Sequence, residues 1–294
     1  MNLVKAGCGV VVALALSVSL SAQGAKHPIT FDDMIKLHRV SAPQVSADGK
    51  WAAFSVATPD MDANRNASNV WIVSTAGGEA MQVTQSGHDS SPAWSPDGKT
   101  LAFLSSRDGN SQVYLLSMEG GEAKKLTTLS TGADLFQWAP DGKTIAFTSA
   151  VYLDCKDDAC NSKRDEEKEK SKVKARIYDH LLFRHWDHWS EGKRSHLFVM
   201  PVDGNASARD LTPGANYDIP PDERGEVNDF AFSPDGKEIC YTAVPDKVEA
   251  ISTNGELFAV PVAAARPKRL RRIRDLTGIR CIRRMDNTLP ITRN

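Results

Sequence analysis

The densest run of chemically capable side chains is Ile177-Tyr178-Asp179-His180-Leu181-Leu182-Phe183-Arg184-His185-Trp186-Asp187-His188-Trp189. His180, His185 and His188, with Asp187, supply the imidazole and carboxylate donors that a zinc ion takes. Their spacing matches no strong metal template, so no metal or other cofactor is expected. Ile177, Leu181, Leu182, Trp186 and Trp189 could share one helical face and serve packing alone. Alternatively, Arg184, His185, Trp186 and Trp189 reach toward a ligand or a second domain, as long loop insertions commonly do. Those four are the candidate contact residues. Upstream, Cys155-x4-Cys160 is the one close pair among five cysteines and is a candidate disulfide. Cys240 reads as a small buried hydrophobe.

No catalytic constellation accompanies these residues. The chain has no G-x-S-x-G nucleophile elbow, no H-E-x-x-H and no Walker loop. The net charge of −1 averages two unlike parts. Residues 263–294 hold ten of the 36 Lys and Arg but two of the 37 Asp and Glu, leaving 26 cations against 35 acids before them. An acidic body argues against nucleic acid as a partner.

The elements that must position these residues repeat. Trp94-Ser95-Pro96-Asp97-Gly98-Lys99 recurs as Val45-Ser46-Ala47-Asp48-Gly49-Lys50, Trp138-Ala139-Pro140-Asp141-Gly142-Lys143 and Phe232-Ser233-Pro234-Asp235-Gly236-Lys237. Proline presets the second turn position, Asp tolerates the third, and Gly takes the left-handed conformation that follows. Each copy is therefore strand, tight turn, strand. The aspartates are 49, 44 and 94 residues apart, the last interval being one repeat plus an insertion. Later in each unit comes a second apolar strand, at 70–73, 113–116, 197–200 and 257–260. In the first three units a glycine turn and a threonine follow it (Thr84, Thr127, Thr212). Four short strands per 40–50 residues is the signature of a propeller blade. The fold class is all-β: a partial β-propeller of about four four-stranded blades, at about 40–84, 85–127, 129–212 and 227–270. Blade three carries a charged, partly helical insertion over 154–194. Its Lys163–Lys174 segment is almost wholly charged, with Glu166 and Lys170 spaced for a helical ion pair.

Thr30-Phe31-Asp32-Asp33 reads as the start of a short helix ahead of blade one. Before it, Lys5, an apolar run over 10–20 and the small residues near 21–25 read as a secretory signal over 1–25, implying a periplasmic or secreted protein. No membrane span is expected once it is removed. Residues 271–294 lose the strand alternation and are expected to form an aberrant, disordered basic tail. The preferred explanation is an out-of-frame reading of a fifth blade, because a shifted frame can restore a YSPDG turn there.

The exported start, the entry helix, the W-S-P-D-G-K blades and the Tyr178–Trp186 stretch followed by Ser195-His196-Leu197-Phe198-Val199 resemble the prolyl-oligopeptidase (S9) serine peptidases, over about Lys26 to Leu270. The likeness is greatest to their dipeptidyl-peptidase V and acylaminoacyl-peptidase types. That resemblance implies a propeller partnered by a C-terminal α/β-hydrolase domain, whose Ser, His and Asp release dipeptides or acyl-amino acids from peptide N-termini. It implies no role for Arg184, His185 or Trp186. No triad residue lies in these 294 residues, so the chain alone is expected to be inactive. The blades also resemble TolB and WD40-like repeats, and the alternative reading is a periplasmic TolB-like propeller that binds a protein. A TolB-like protein would place a small α/β domain before its propeller. Fewer than 20 residues separate the expected cleavage site from blade one, which favours the peptidase.

Overall fold

The computed structural model describes residues 27–178, 181, 183–185, 188–189, 191–221, 230–246, 252 and 254–272. The expected signal segment and the basic segment beyond 272 lie outside them. Two units are distinguished, the first ending at His38. In the first, helix α1 (Phe31–Ile35) starts at a capping box, where Thr30 Oγ1 accepts from the Asp33 amide and Asp33 Oδ2 accepts from the Thr30 amide. Among the described residues no helix is long and apolar enough to cross a membrane.

The second unit is a β-propeller whose described residues form four antiparallel four-stranded blades. Blade one is β1 (Arg39–Val45), β2 (Trp51–Asp60), β3 (Arg65–Ser74) and β4 (Met81–Gln82). Blade two is β5 (Asp89–Trp94), β6 (Thr100–Ser105), β7 (Gln112–Ser117) and β8 (Lys124–Lys125). Blade three opens with β9 (Phe136–Trp138) and β10 (Thr144–Tyr152). Its insertion contributes α2 (Asp158–Lys170) and a small hairpin, β11 (Arg184–His185) with β12 (His188–Trp189). The blade resumes with β13 (Lys193–Pro201) and β14 (Arg209–Asp210). Blade four is β15 (Phe230–Phe232), β16 (Glu238–Ala243), β17 (Glu256–Pro261) and β18 (Lys268–Arg272). Strand pairing in β18 thus runs two residues past the boundary expected at 270.

One turn design joins the first two strands of every blade. In blade two the Gly98 amide donates to the Ser95 carbonyl, and Gly98 has a φ of 70°, a region closed to most side chains. Ser95 Oγ donates to Asp97 Oδ1 at 2.6 Å and accepts from the Thr100 amide at 3.0 Å, while Asp97 Oδ1 also accepts from the Lys99 amide at 3.0 Å. The same network forms around Ser46–Asp48 and Ser233–Asp235. The serine hydroxyl, and then the backbone amide two residues on, hold the Asp48, Asp97 and Asp235 carboxyls below the usual range. Blade three has Ala139 in place of the serine; its Gly142 amide still donates to the Ala139 carbonyl, and of the side-chain bonds it keeps that of Asp141 to the Lys143 amide.

The recurring threonines complete each blade. Thr84, Thr127 and Thr212 are buried, and their hydroxyls accept from the amides of Val70, Val113 and Leu197 at 2.9, 2.9 and 3.1 Å. Each hydroxyl satisfies a third-strand amide just before the very short fourth strand takes over the ladder. β4 and β8 are exposed two-residue strands, and Lys124 and Lys125 place charge on that edge.

Successive blades meet through alternate faces of the middle strands. Leu101 and Phe103 of β6 pack with Ala53, Val70 and Ile72 of blade one, while Ala102 between them joins the cluster of blade three. Ile145 and Phe147 of β10 face blade two, and Ala146 faces blade four, against Phe230, Ile239 and Tyr241. Each indole of the repeat also reaches back one blade. Trp94 Nε1 donates to the Gln44 carbonyl and Trp138 Nε1 to the Ala93 carbonyl, at 3.2 and 3.1 Å. The turns stack in the same order, so that a β-carbon on Gly142 would lie 3.5 Å from Pro96, and one on Gly236 3.7 Å from Pro140.

His196 in β13 is buried between two acceptors. Its Nδ1 lies 2.8 Å from Asp210 Oδ2 and its Nε2 3.0 Å from the Ala215 carbonyl. A carbonyl and a carboxylate accept, so this geometry favours hydrogen on both ring nitrogens and with it the charged form of the ring. Burial opposes that charge, but Asp210, the Ala215 carbonyl and the charge of Asp218 outweigh it and raise the pKa.

Two outcomes follow. Ser95→Ala should cost about 1–2 kcal/mol in urea unfolding, because Thr100 loses its acceptor, whereas Ala139→Ser should gain about 0.5–1 kcal/mol. A raised folded pKa places the His196 contribution in full below the unfolded value of about 6.5 and removes it as pH climbs through the folded value. Urea midpoints should therefore fall from about pH 6 to pH 9 more steeply in the native chain than in His196→Gln.

Candidate functional site: the blade-three insertion

Helix α2 is charged along its length, so little hydrophobic burial holds it to the blade. Polar anchors do so instead. Asp157 caps the helix by accepting from the Cys160 amide at 2.9 Å, and Cys155 and Cys160 are joined in a disulfide with Cα atoms 5.4 Å apart. Asp158 accepts from the Ser130 amide and hydroxyl at 2.9 and 2.8 Å, reaching the connection between blades two and three. Asn161, buried, accepts from the Tyr152 amide at 2.9 Å and so takes the place of a strand partner at the end of β10.

One turn further on, Asp165 accepts from Tyr152 Oη at 2.9 Å and from Lys193 Nζ at 2.8 Å. Arg164 and Lys193 also lie over the Tyr152 ring, at 4.4 and 5.0 Å from its centroid. Burial, then the Asp165 carboxylate, pushes the Tyr152 hydroxyl up to about 12, so it stays a donor. Lys168 continues the series with a 2.8 Å ion pair to Glu191. Glu166 and Lys170 form the helical pair that their spacing predicts, at 2.9 Å.

Beyond α2, where Ser171 turns extended, Tyr178, Phe183 and Trp189 assemble an aromatic cluster. Trp189 stacks on Tyr178 and Phe183, with centroids 6.0 and 6.2 Å away, and Tyr178 meets Phe183 at 5.5 Å. The guanidinium carbons of Arg176 and Arg184 lie 5.5 and 5.6 Å from the Trp189 centroid. Phe183 and Trp189 keep 41% and 42% of their surface exposed, unusual for rings that stack. Lys174, Arg176, Tyr178, Phe183 and Trp189 line an open cleft of about 600 Å³.

Of the four candidate contact residues, the structure brings Arg184 and Trp189 together as partners across the hairpin. His185 pairs with His188 through the backbone of the same hairpin. Trp186, Asp187 and His180 lie outside the described residues. Of the helical packing face drawn through Ile177, Leu181, Leu182, Trp186 and Trp189, Leu182 and Trp186 lie outside the described residues, and Ile177 and Trp189 are not helical. The helix ends at Lys170, where Ser171 turns extended, and Trp189 belongs to a strand. Ile177 is almost wholly exposed instead of packing. Lys174, Arg176, Tyr178 and Phe183 were not among the candidate contact residues. Their signal was present in the alternation of Lys172, Lys174 and Arg176 with Val173, Ala175 and Ile177, which suits an extended segment.

Comparison with known proteins places this architecture. Residues 63–156 match the Tricorn protease N-terminal beta propeller domain. The chain is 27% identical over 261 residues to a dipeptidyl-peptidase 5 of Porphyromonas gingivalis, covering 87% of this chain and 37% of that protein. It is 41% identical over 109 residues to the uncharacterized peptidase YuxL of Bacillus subtilis, covering 36% of this chain and 17% of the relative. The acylaminoacyl peptidase of Pyrococcus horikoshii shares the fold, with a TM-score of 0.59 and 13% identity over 82% of this chain and 33% of its own. The chain thus spans little more than a third of the longer curated relative it matches.

The anchors predict a local effect of substitution. Asn161→Ala leaves the Tyr152 amide buried without its acceptor and should cost about 1–3 kcal/mol. Amide exchange across 158–170 should quicken while that of β6 and β7 stays slow. Unchanged exchange in α2 would show that the disulfide and Asp158 hold it without Asn161.

Proposed function

We propose that this chain is the propeller portion of a secreted serine exopeptidase, acting with an α/β-hydrolase domain that releases dipeptides or acyl-amino acids from peptide N-termini. The carrying observation is the match to a dipeptidyl-peptidase along most of the chain, together with the fold that these blades share with part of an acylaminoacyl peptidase. A propeller suits this role because its rigid, two-sided blades form a wall that excludes folded proteins while loops at its rim meet short peptides. On this reading the insertion is the contact surface for the peptide or for the hydrolase domain. Its exposed Val173, Ile177, Leu181, Phe183 and Trp189 support that role, since solitary soluble surfaces rarely gather so many large apolar side chains. Nucleophile, base and oxyanion donors all belong to the partner domain in this scheme, so the propeller affects which peptides enter and not the bond-breaking step.

An antibody against the propeller provides the test. Material captured from the producing cells should react with a fluorophosphonate, which labels activated serines, and should release dipeptides or acyl-amino acids from chromogenic amides. Capture of the propeller with no fluorophosphonate-labelled species and no such release would overturn the reading.

A further inference from the structure

Basic side chains stand beside the aromatic cluster of the insertion. Residues 1–262 carry 26 cations against 35 acids, yet Lys174, Arg176 and Arg184 converge around one cluster of rings. Among the described residues the carboxylate beside Arg176 is that of Glu191, at 3.8 Å, too far for a hydrogen bond and already engaged by Lys168 at 2.8 Å. Stacking over Trp189 uses the face of the Arg176 guanidinium and leaves its in-plane N–H fork available to an oxyanion. Lys174 Nζ donates to the Glu169 carbonyl at 3.3 Å, which occupies one of its three protons. Beside these donors stand the exposed rings of Phe183 and Trp189, in a cleft whose volume suits a small ligand.

We infer that this cleft binds a peptide carboxylate, with Arg176 and Lys174 as its anion contacts and Tyr178, Phe183 and Trp189 receiving an adjacent aromatic or apolar side chain. The inference rests on the reading of the insertion as a peptide contact surface and names the chemistry it selects. A peptide offers two carboxylate sources, its C-terminus and an Asp or Glu side chain. A nucleotide also pairs an oxyanion with a stacking ring and is the competing ligand in the test. Because the cleft is open to water, binding is weak and falls with added salt.

The test titrates the full chain and follows the Trp189 indole N–H by NMR, that signal being assigned with Trp189→Phe. The probes are Gly-Phe, Gly-Phe-amide, Glu-Phe-amide and a nucleoside monophosphate. Gly-Phe, Glu-Phe-amide or both should move the signal, and whichever does identifies the source of the carboxylate. Gly-Phe-amide should bind at least about fivefold more weakly, and Arg176→Gln should weaken the acid about tenfold. Lys174→Gln should weaken it by a smaller factor. Both variants should keep the native urea midpoint, since neither side chain is buried. Equal binding of acid and amide would overturn the inference. So would a folded Arg176→Gln of unchanged affinity, a nucleotide that outcompetes every peptide, or no shift with any peptide. Any of these, alongside fluorophosphonate-labelled peptidase activity, would leave the exopeptidase proposal standing and remove only the carboxylate site.

Discussion

The middle strands of these blades are apolar on both faces, and the other features of the fold accommodate that constraint. A sheet with two apolar faces cannot stand alone in water, so each blade requires a neighbour on either side. Alternation divides the work. In β6, Leu101 and Phe103 serve the interface with blade one and Ala102 the interface with blade three. In β10, Ile145 and Phe147 serve one side and Ala146 the other. Large side chains on one face are met by alanine on the next, which lets successive sheets approach closely without voids. The indole bonds of Trp94 and Trp138 then fix the direction in which each blade leans on the one before it.

Given such interfaces, register has to be set locally, because a slip by one residue would exchange the two apolar faces. The serine–aspartate turn does this. Its side-chain bonds are made within a few residues of one another and would form before any blade meets its neighbour. The threonine at the far end sets the opposite limit of the ladder. Blade three, which lacks the turn serine, also carries the insertion, and its β10 and β13 pair along nine residues, against six for the middle strands of blades two and four. That extended pairing offers register information that the weaker turn does not.

The insertion follows different physics. Its helix is bound to the blade by a cap, a disulfide, a buried asparagine and a chain of ion pairs running from Asp154 to Lys193. Charged contacts of this kind orient an element without contributing a large core, which suits a surface that must present rings to a ligand. The aromatic cluster lies beyond these anchors, with Arg176 and Arg184 beside its tryptophan.

The sequence by itself determined the blades. Turn chemistry, apolar runs and the recurring threonines are local and periodic, so their meaning survives without a structure, and all four sheets stand where the repeat places them. It also marked Arg184 and Trp189 as members of a site, through composition alone. Only the tertiary structure decided that Trp189 lies in a hairpin and not on a helix, and that Lys174, Arg176, Tyr178 and Phe183 join it. Those residues are separated by up to fifteen positions, and what unites them is the path the chain takes once the helix ends at Lys170. That path is set by anchors on Ser130, Tyr152 and Lys193, contacts between distant parts of the chain that no local pattern encodes.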